Sequence, residues 1–189
     1  MHPRTREILD YLEAQRASLK AAFDSVPAGR RTTAPAPGCW SAAEIIEHLS
    51  IVNRRVVVYL SKSLAQARTQ GLGPETEESP ILPSLGLEGI ATRAGRATAP
   101  EPTLPTGIGA DEAWNALEQS GAAARQLLLE YDGLALGNVP MSHPRFGEKC
   151  AYFFFGFLGA HEARHAAQIR EMLSRFEAAE GATAAGSPS

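Results

Sequence analysis

The stretch YFFFGFLGAHEARHAAQIREML, residues 152–173, contains the pattern that decides the fold. Its apolar residues recur every three or four positions, which is the period of an α-helix with one buried face. The stripe consists of Phe154, Phe157, Leu158, Ile169, Met172 and Leu173. His161 and His165 lie on the same face, four residues apart, so both imidazoles are expected to point into a core. We therefore predict a long core helix over residues 148–178.

Three more helices are predicted upstream in the chain. Residues 4–24 have an apolar stripe at helical spacing, and residues 111–131 have another, with Asp111 as the expected cap. Between them, Ser41 and Glu44 form a capping box, which opens a helix that runs to about residue 66. The stripe residues of the three helices are Ile8, Leu9, Leu12, Leu19 and Phe23; Ile45, His48, Leu49, Val52, Val56, Leu60 and Leu64; and Trp114, Leu117, Ala124, Leu127 and Leu128. The predicted fold class is all-α, a four-helix bundle.

The segments between these helices are predicted to be loops, and no stretch shows a sustained strand period. Residues 70–109 form a long crossover, rich in proline and glycine, between helices two and three, with a short helical turn expected near residues 83–89. Residues 133–147 form a second loop. We predict a single bundle domain over residues 1–178. Residues 179–189 are small and polar and are predicted to be a disordered tail.

Composition excludes several classes of protein. The chain has 189 residues and a formal net charge of -3, so no basic surface indicates nucleic acid or an anionic membrane as a partner. Its two cysteines, Cys39 and Cys150, are too few and too far apart for a disulfide scaffold or a cysteine zinc site. The N-terminus lacks the apolar core of a secretory signal, and no apolar run reaches the ~20 residues that span a bilayer. We therefore expect a cytoplasmic protein.

Three histidines are expected to point into the bundle. His48 lies on the inner stripe of the second helix, as His161 and His165 do on the fourth. Buried imidazoles need partners for both ring nitrogens, and three of them cannot readily satisfy one another. A divalent metal ion would bind all three and leave coordination positions free for water or substrate. The alternative is that each is an ordinary core or rim residue, because spacing alone does not show that these two helices face each other.

Residues 161–165 also match H-E-x-x-H, a pattern of zinc peptidases. Such enzymes need a third ligand downstream. Here Glu171 stands where some of these peptidases have a histidine, and on a continuous helix it is rotated away from His165. No strand edge is predicted that could hold a peptide. A metallopeptidase is therefore the weakest of the functional hypotheses.

Two segments, on either side of the proline-rich crossover, together resemble one known family. They are CWSAAEIIEHL, residues 39–49, and SHPRFGEKCAYFFFGFLGAHEARHAAQI, residues 142–169. In this order they resemble the DinB-like superfamily, specifically its DinB_2 type. The resemblance implies a four-helix bundle in which His48, His161 and His165 bind a divalent metal ion, often zinc or nickel.

The resemblance also implies a range of activities. Some members of the family are thiol-dependent transferases or isomerases that use bacillithiol or mycothiol. We therefore expect a metal-dependent thiol S-transferase or hydrolase that acts on a small electrophilic molecule, with a low-molecular-weight thiol as a candidate co-substrate. The alternative is a non-catalytic, metal-binding stress-response protein in which the ion ties the second helix to the fourth.

Three other residues and one aromatic run have less specific assignments. Glu162 and Gln168 are the candidate catalytic residues, although Glu162 also suits an interhelical salt bridge and Gln168 a hydrogen bond to a metal ligand. His143 is expected to belong to loop structure before the last helix. The Phe153–Phe155 run is predicted to be core and to offer a surface for a homodimer.

Overall fold

The computed structural model describes residues 1–92 and 98–185, with side chains up to residue 176. Its helices are α1 (Pro3–Asp24), α2 (Ala42–Thr69), the short α3 (Glu88–Ala91), α4 (Ala110–Glu130) and α5 (Ala151–Ala185). Helix α1 packs along α5, and α2 packs along α4. This arrangement confirms the predicted all-α four-helix bundle with a long crossover between its second and third long helices. None of the helices in the described ranges combines the length and apolarity that a bilayer crossing requires.

The start of α2 confirms the predicted capping box, whereas the predicted cap of α4 is wrong. The Ser41 hydroxyl accepts a hydrogen bond from the Glu44 amide, and Glu44 Oε2 accepts one from the Ser41 amide at 2.7 Å. In α4 the cap position is Gly109, which makes no side-chain hydrogen bond. Asp111 lies inside the first turn, where its negative charge interacts favourably with the positive end of the helix dipole.

Two short strands precede α5, where only a loop was predicted. β1 (Pro140–His143) pairs antiparallel with β2 (Gly147–Cys150), and His143 lies opposite Gly147. The φ angle of Gly147 is +70°, a left-handed conformation that favours glycine at the tight turn. The predicted helix start at residue 148 is wrong because that residue pairs with β1. Strands of four residues are too short to show a two-residue period in the sequence.

The C-terminal end of α5 lies beyond the predicted boundary. Its backbone is helical to Ala185, and the prediction ended the helix at residue 178. Residues 186–189 lie outside the described residues. The division into a domain over residues 1–178 and a disordered tail over residues 179–189 stays a prediction.

The core consists of two apolar clusters, one packed on the N-terminal part of α5 and the other on the part that follows. Ala160 belongs to the first cluster and Ala166 to the second, so the two histidines of α5 lie at the junction. The residues of the Phe153–Phe155 run are no more than 2% exposed and belong to the first cluster. They therefore offer no surface to a second copy, and the homodimer itself stays a prediction.

The crossover between α2 and α4 packs partly on α5. The predicted turn near residues 83–89 is observed as a 3-10 helix, Leu82–Leu85, followed by α3. Leu87 lies so close to Gly156 of α5 that a Cβ there would be 2.6 Å from the leucine Cδ1. Glycine at position 156 therefore permits this close approach of the crossover to the bundle.

Candidate metal centre

Three histidine side chains converge between α2 and α5. One ring nitrogen of each of His48, His161 and His165 lies within 4.8 Å of the other two. The Nε2 atoms of His161 and His165 are 3.0 Å apart. Zinc–nitrogen distances of ~2.0–2.1 Å in a tetrahedral site separate the ligand atoms by about 3.4 Å, so small movements would complete such a site. The structure thus brings together the predicted ligands and shows that α2 and α5 face each other here.

Hydrogen bonds at the outer ring nitrogens orient two of the three imidazoles. His48 Nδ1 lies 2.7 Å from the Thr103 carbonyl oxygen, and a carbonyl oxygen only accepts, so this nitrogen donates. His165 Nδ1 lies 2.8 Å from Gln168 Oε1 and donates in the same way. Each ring therefore has its proton on Nδ1 and its lone pair on Nε2, which is how outer hydrogen bonds orient metal-ligating histidines.

The ring of His161 is the least satisfied of the three. Its buried Nδ1 has no hydrogen-bond partner among the described residues. Its Nε2 faces the lone pair of His165 Nε2, and two such atoms at 3.0 Å need a proton or a cation between them. Three imidazole nitrogens that converge in this way are a ligand set that suits a zinc or nickel ion.

The surroundings favour neutral imidazoles. Burial lowers the pKa of His48, although the hydrogen bond to the Thr103 backbone acts in the opposite direction. The pKa of His161 lies well below its ordinary value. Burial is the largest cause, and positive charge on His165, His48 or Arg164 would also disfavour a proton on this ring. Neutral imidazole is the form that coordinates metal ions, so the donor set fits a divalent ion.

The histidines open onto a cavity of about 1490 Å³. Much of its wall is apolar or aromatic, and the Trp40 ring centroid lies 4.9 Å from that of His48. His143 also lines the cavity, with its ring packed on those of Phe154 and Phe157. The sequence assigned His143 to loop structure. The signal for its place in the cavity was the family-like motif that starts there, H-P-x-F-G.

The two candidate catalytic residues occupy different environments. Gln168 lines the cavity and supports His165. Glu162 is 2% exposed and does not line the cavity. Its Oε2 accepts a hydrogen bond from Arg16 Nε at 2.9 Å, its Oε1 accepts one from Arg16 Nη2 at 2.6 Å, and Asn53 Nδ2 lies 3.4 Å from Oε1.

Glu162 is therefore an interhelical ion-pair residue, and its position does not support a role as catalytic acid or base. In H-E-x-x-H peptidases that glutamate acts as general base beside the metal. Here the equivalent carboxylate is committed to Arg16 of α1. The geometry consequently gives no support to the metallopeptidase hypothesis.

Glu47, next to His48, is a supporting residue that the sequence analysis missed. Glu47 is 3% exposed, and its carboxylate accepts four hydrogen bonds. They come from the amides of Thr106, Gly107 and Ile108 and from the Thr106 hydroxyl, at 2.6–3.2 Å. Burial would raise the pKa of Glu47, but these hydrogen bonds outweigh it and lower the pKa. The sequence signal was a charged residue next to the inward-facing histidine in an otherwise apolar stretch, IIEHL.

Comparison with known proteins identifies the family and supports the fold. A family model, DinB_2 of the DinB superfamily, matches residues 11–169. Among solved structures, the chain is similar to TT2238, described as a four-helix bundle protein, with a TM-score of 0.59 and 16% sequence identity over 88% of this chain and 98% of that one. No curated protein matches. Because the family match extends from α1 into α5 and includes all three histidines, the chain belongs to the DinB superfamily.

Proposed function

We propose that the protein binds a divalent metal ion, zinc or nickel, through His48, His161 and His165 and acts as a thiol S-transferase on a small electrophilic molecule. The observation that carries the proposal is the opening of three convergent ring nitrogens onto a large cavity. Structural zinc sites are closed by four protein ligands, whereas catalytic sites keep a position open. The described residues supply three candidate ligands at this place.

A divalent ion held there would lower the pKa of a bound thiol, so that thiolate is present at neutral pH. The chain's own residues hold the rings in place, through the Thr103 carbonyl and Gln168. Val52 and Phe157 line the same cavity with apolar side chains, which suit an apolar part of the thiol or of its partner. In the reaction, a sulfur electron pair forms a bond to an electrophilic carbon, a leaving group departs with its bonding pair, and the thiol proton passes to solvent.

The distribution of carboxylates favours thiol transfer over hydrolysis. Among the described residues that line the cavity, Glu171 is the one carboxylate, and Glu162 is paired with Arg16. Hydrolysis of a stable ester or amide profits from a general acid for the leaving group. Attack by a thiolate on an activated carbon has less need of one. The hydrolase is therefore the second choice for the same site.

The first test is the metal content of protein purified without added metal and without a histidine tag. We expect about one ion per chain in the wild type and almost none in His161→Ala, because a two-ligand remnant binds weakly. His143→Ala is the matched control, since His143 lines the cavity but lies outside the three-histidine cluster. A wild type that contains no metal, and takes up neither zinc nor nickel when offered, would overturn the site.

The second test concerns the reaction. The metal-loaded protein is mixed with a low-molecular-weight thiol and a chromogenic electrophile, and thioether formation is followed with wild type and His161→Ala. We expect turnover that depends on the bound metal. Metal binding without thiol coordination or turnover would favour the alternative, a non-catalytic metal-binding stress-response protein.

A further inference from the structure

The cavity has the opposite charge to the chain as a whole. The chain has a formal net charge of -3. The described residues that line the cavity nevertheless include six cationic side chains against one carboxylate, Glu171. The cationic residues are Arg54, Arg55, Lys62, Arg145, Arg164 and Arg175. Charges of one sign along a cleft with apolar walls concentrate the potential there and attract anions.

Part of this charge follows one face of α2 outward from the metal centre. Starting at His48, the face continues through Val52, Arg55, Tyr59 and Lys62, at steps of three or four residues, and all five line the cavity. Seven residues of helix place Arg55 about 10.5 Å from His48 along the axis. Phe154 of α5 lines the same cavity opposite this face, and its ring packs edge-on against that of Tyr59, with the ring centroids 5.5 Å apart.

Four of these six side chains, those of Arg54, Arg55, Lys62 and Arg145, form no ion pair with a carboxylate in the described part of the chain. By contrast, Arg4, Arg16 and Arg68 each form an ion pair with a glutamate. The four cations without such an ion pair are exposed at the residue level. Because they line one cavity without a paired carboxylate, their positive charges act together on an anion that enters it.

We propose that this face of α2 binds the terminal carboxylate of an elongated substrate whose reactive atom lies at the metal centre. Arg55 and Lys62 hold the carboxylate, and Arg145 lies on the β1–β2 turn that borders the same cavity. Guanidinium groups suit carboxylates because two N–H donors match the two oxygens. Val52 and Phe154 line the space between and accommodate an apolar spacer. This inference rests on the proposed thiol-transferase function and names the class of molecule that the site takes.

The test compares two thiols of equal length on the full chain loaded with cobalt(II). Mercaptohexanoate has a terminal carboxylate and mercaptohexanol a terminal hydroxyl, and each is titrated while the sulfur-to-metal charge-transfer absorption is recorded. We expect the acid to bind at least about tenfold more tightly than the alcohol at low salt, and the preference to shrink as salt rises because the charges are screened. In Arg55→Gln/Lys62→Gln the preference should fall below about threefold.

The matched control is Arg6→Gln/Arg125→Gln, which removes the same charge from exposed positions outside the cavity. It should keep the wild-type preference. Equal binding of acid and alcohol by the wild type would overturn the inference and leave the metal site intact. A loss of preference in the control as large as in the cavity variant would also overturn it. If cobalt binds but neither thiol changes the spectrum, the proposed thiol-transferase function itself fails.

Discussion

The three histidines of the candidate centre differ in whether the outer nitrogen of the ring, Nδ1, makes a hydrogen bond. His48 and His165 donate through Nδ1 to fixed acceptors, whereas the Nδ1 of His161 has no such partner among the described residues. Outer acceptors fix the tautomer and raise the basicity of a ligand. His48 and His165 are therefore the oriented members of the candidate ligand set, and the orientation of His161 depends on the packing around its ring.

Gln168→Leu should weaken metal binding without unfolding the protein. The change removes the acceptor of His165 Nδ1, and loss of such a partner typically lowers metal affinity about 10–100-fold. Zinc affinity is measured by competition with a chromophoric chelator, and circular dichroism checks the helices. Gln119→Leu, at an exposed position of α4, is the control. An unchanged affinity in Gln168→Leu would show that His165 does not need this hydrogen bond.

Glu162→Gln should cost stability and leave the metal in place. The substitution removes the buried one of the two carboxylates that pair with Arg16. Breaking such pairs lowers the free energy of unfolding by about 3–5 kcal/mol. Because Arg16 is partly exposed, we expect a loss near the lower end, about 3 kcal/mol. Urea unfolding measures the loss. Glu118→Gln, which removes the exposed second partner of Arg16, should cost less than about 1 kcal/mol. Loss of metal from folded Glu162→Gln would contradict this assignment and restore Glu162 to the centre.

The metal-free protein should lose stability as the pH falls below about 6.5. Burial lowers the pKa of His48 and His161 in the folded state, so the unfolded chain takes up protons first. The free energy of unfolding is therefore greatest above the ordinary histidine pKa and decreases below it, until the folded pKa is reached. Urea unfolding at several pH values measures this slope. His161→Leu should flatten it, and an equal slope in both proteins would contradict the prediction.

At the scale of elements, the sequence predicted the long helices but missed the short strands and the contacts between distant residues. The stripes of α1, α2 and α5 extend over several turns, so their period is visible. The β1–β2 hairpin has only four residues in each strand, and no period can be read from them. The anchor of the crossover was also invisible, because Glu47 meets backbone amides about sixty residues further along the chain.

Glu47→Gln should weaken the attachment of the crossover, at Thr106 to Ile108, to α2. The amide cannot accept all four hydrogen bonds that the carboxylate accepts, and its own N–H donors would face backbone donors. Hydrogen bonds to a charged group contribute about 1.5–3 kcal/mol, so a loss of that size is expected at neutral pH. Urea unfolding measures it, and hydrogen exchange at Thr106 and Gly107 should accelerate. Glu78→Gln, exposed on the same crossover, is the control and should change neither quantity.

The effect of Glu47→Gln should depend on pH in a defined direction. The folded-state pKa of Glu47 is lowered, so its contribution to stability is complete above the ordinary glutamate pKa of about 4.3. The contribution is lost as the pH falls through the lower folded-state value. The gap in unfolding free energy between wild type and variant should therefore narrow in acid. A gap that widens there would contradict the assigned role of the carboxylate.

At the scale of the molecule, the three histidines join two pairs of helices. α1 packs chiefly with α5 and α2 with α4, and the candidate centre bridges the pairs at the junction of the two apolar clusters. The sequence predicted the bundle and the ligands because both leave local patterns. It could not reveal the cavity or the partnership of Arg16 with Glu162, because these depend on contacts between distant parts of the chain.

Chelation should lower the melting temperature without unfolding the bundle. Both apolar clusters consist of many buried side chains from several helices, whereas an ion at 100 times its Kd adds only about 2.7 kcal/mol. Thermal melting with and without chelator measures the shift, and His161→Ala should show none. Collapse of the fold upon chelation would instead assign the ion a structural role, as in domains that fold only around their metal.

The attachment of the crossover at two adjacent residues of α2 has a further consequence. Glu47 holds the backbone of Thr106 to Ile108, and His48 holds the carbonyl of Thr103. An excursion that lifts this segment breaks both attachments together and leaves His48 without its orienting partner. For an ion bound as proposed, we expect the residence time to follow how often the segment opens. Relatives with the same three ligands and a different crossover should exchange their metal at different rates.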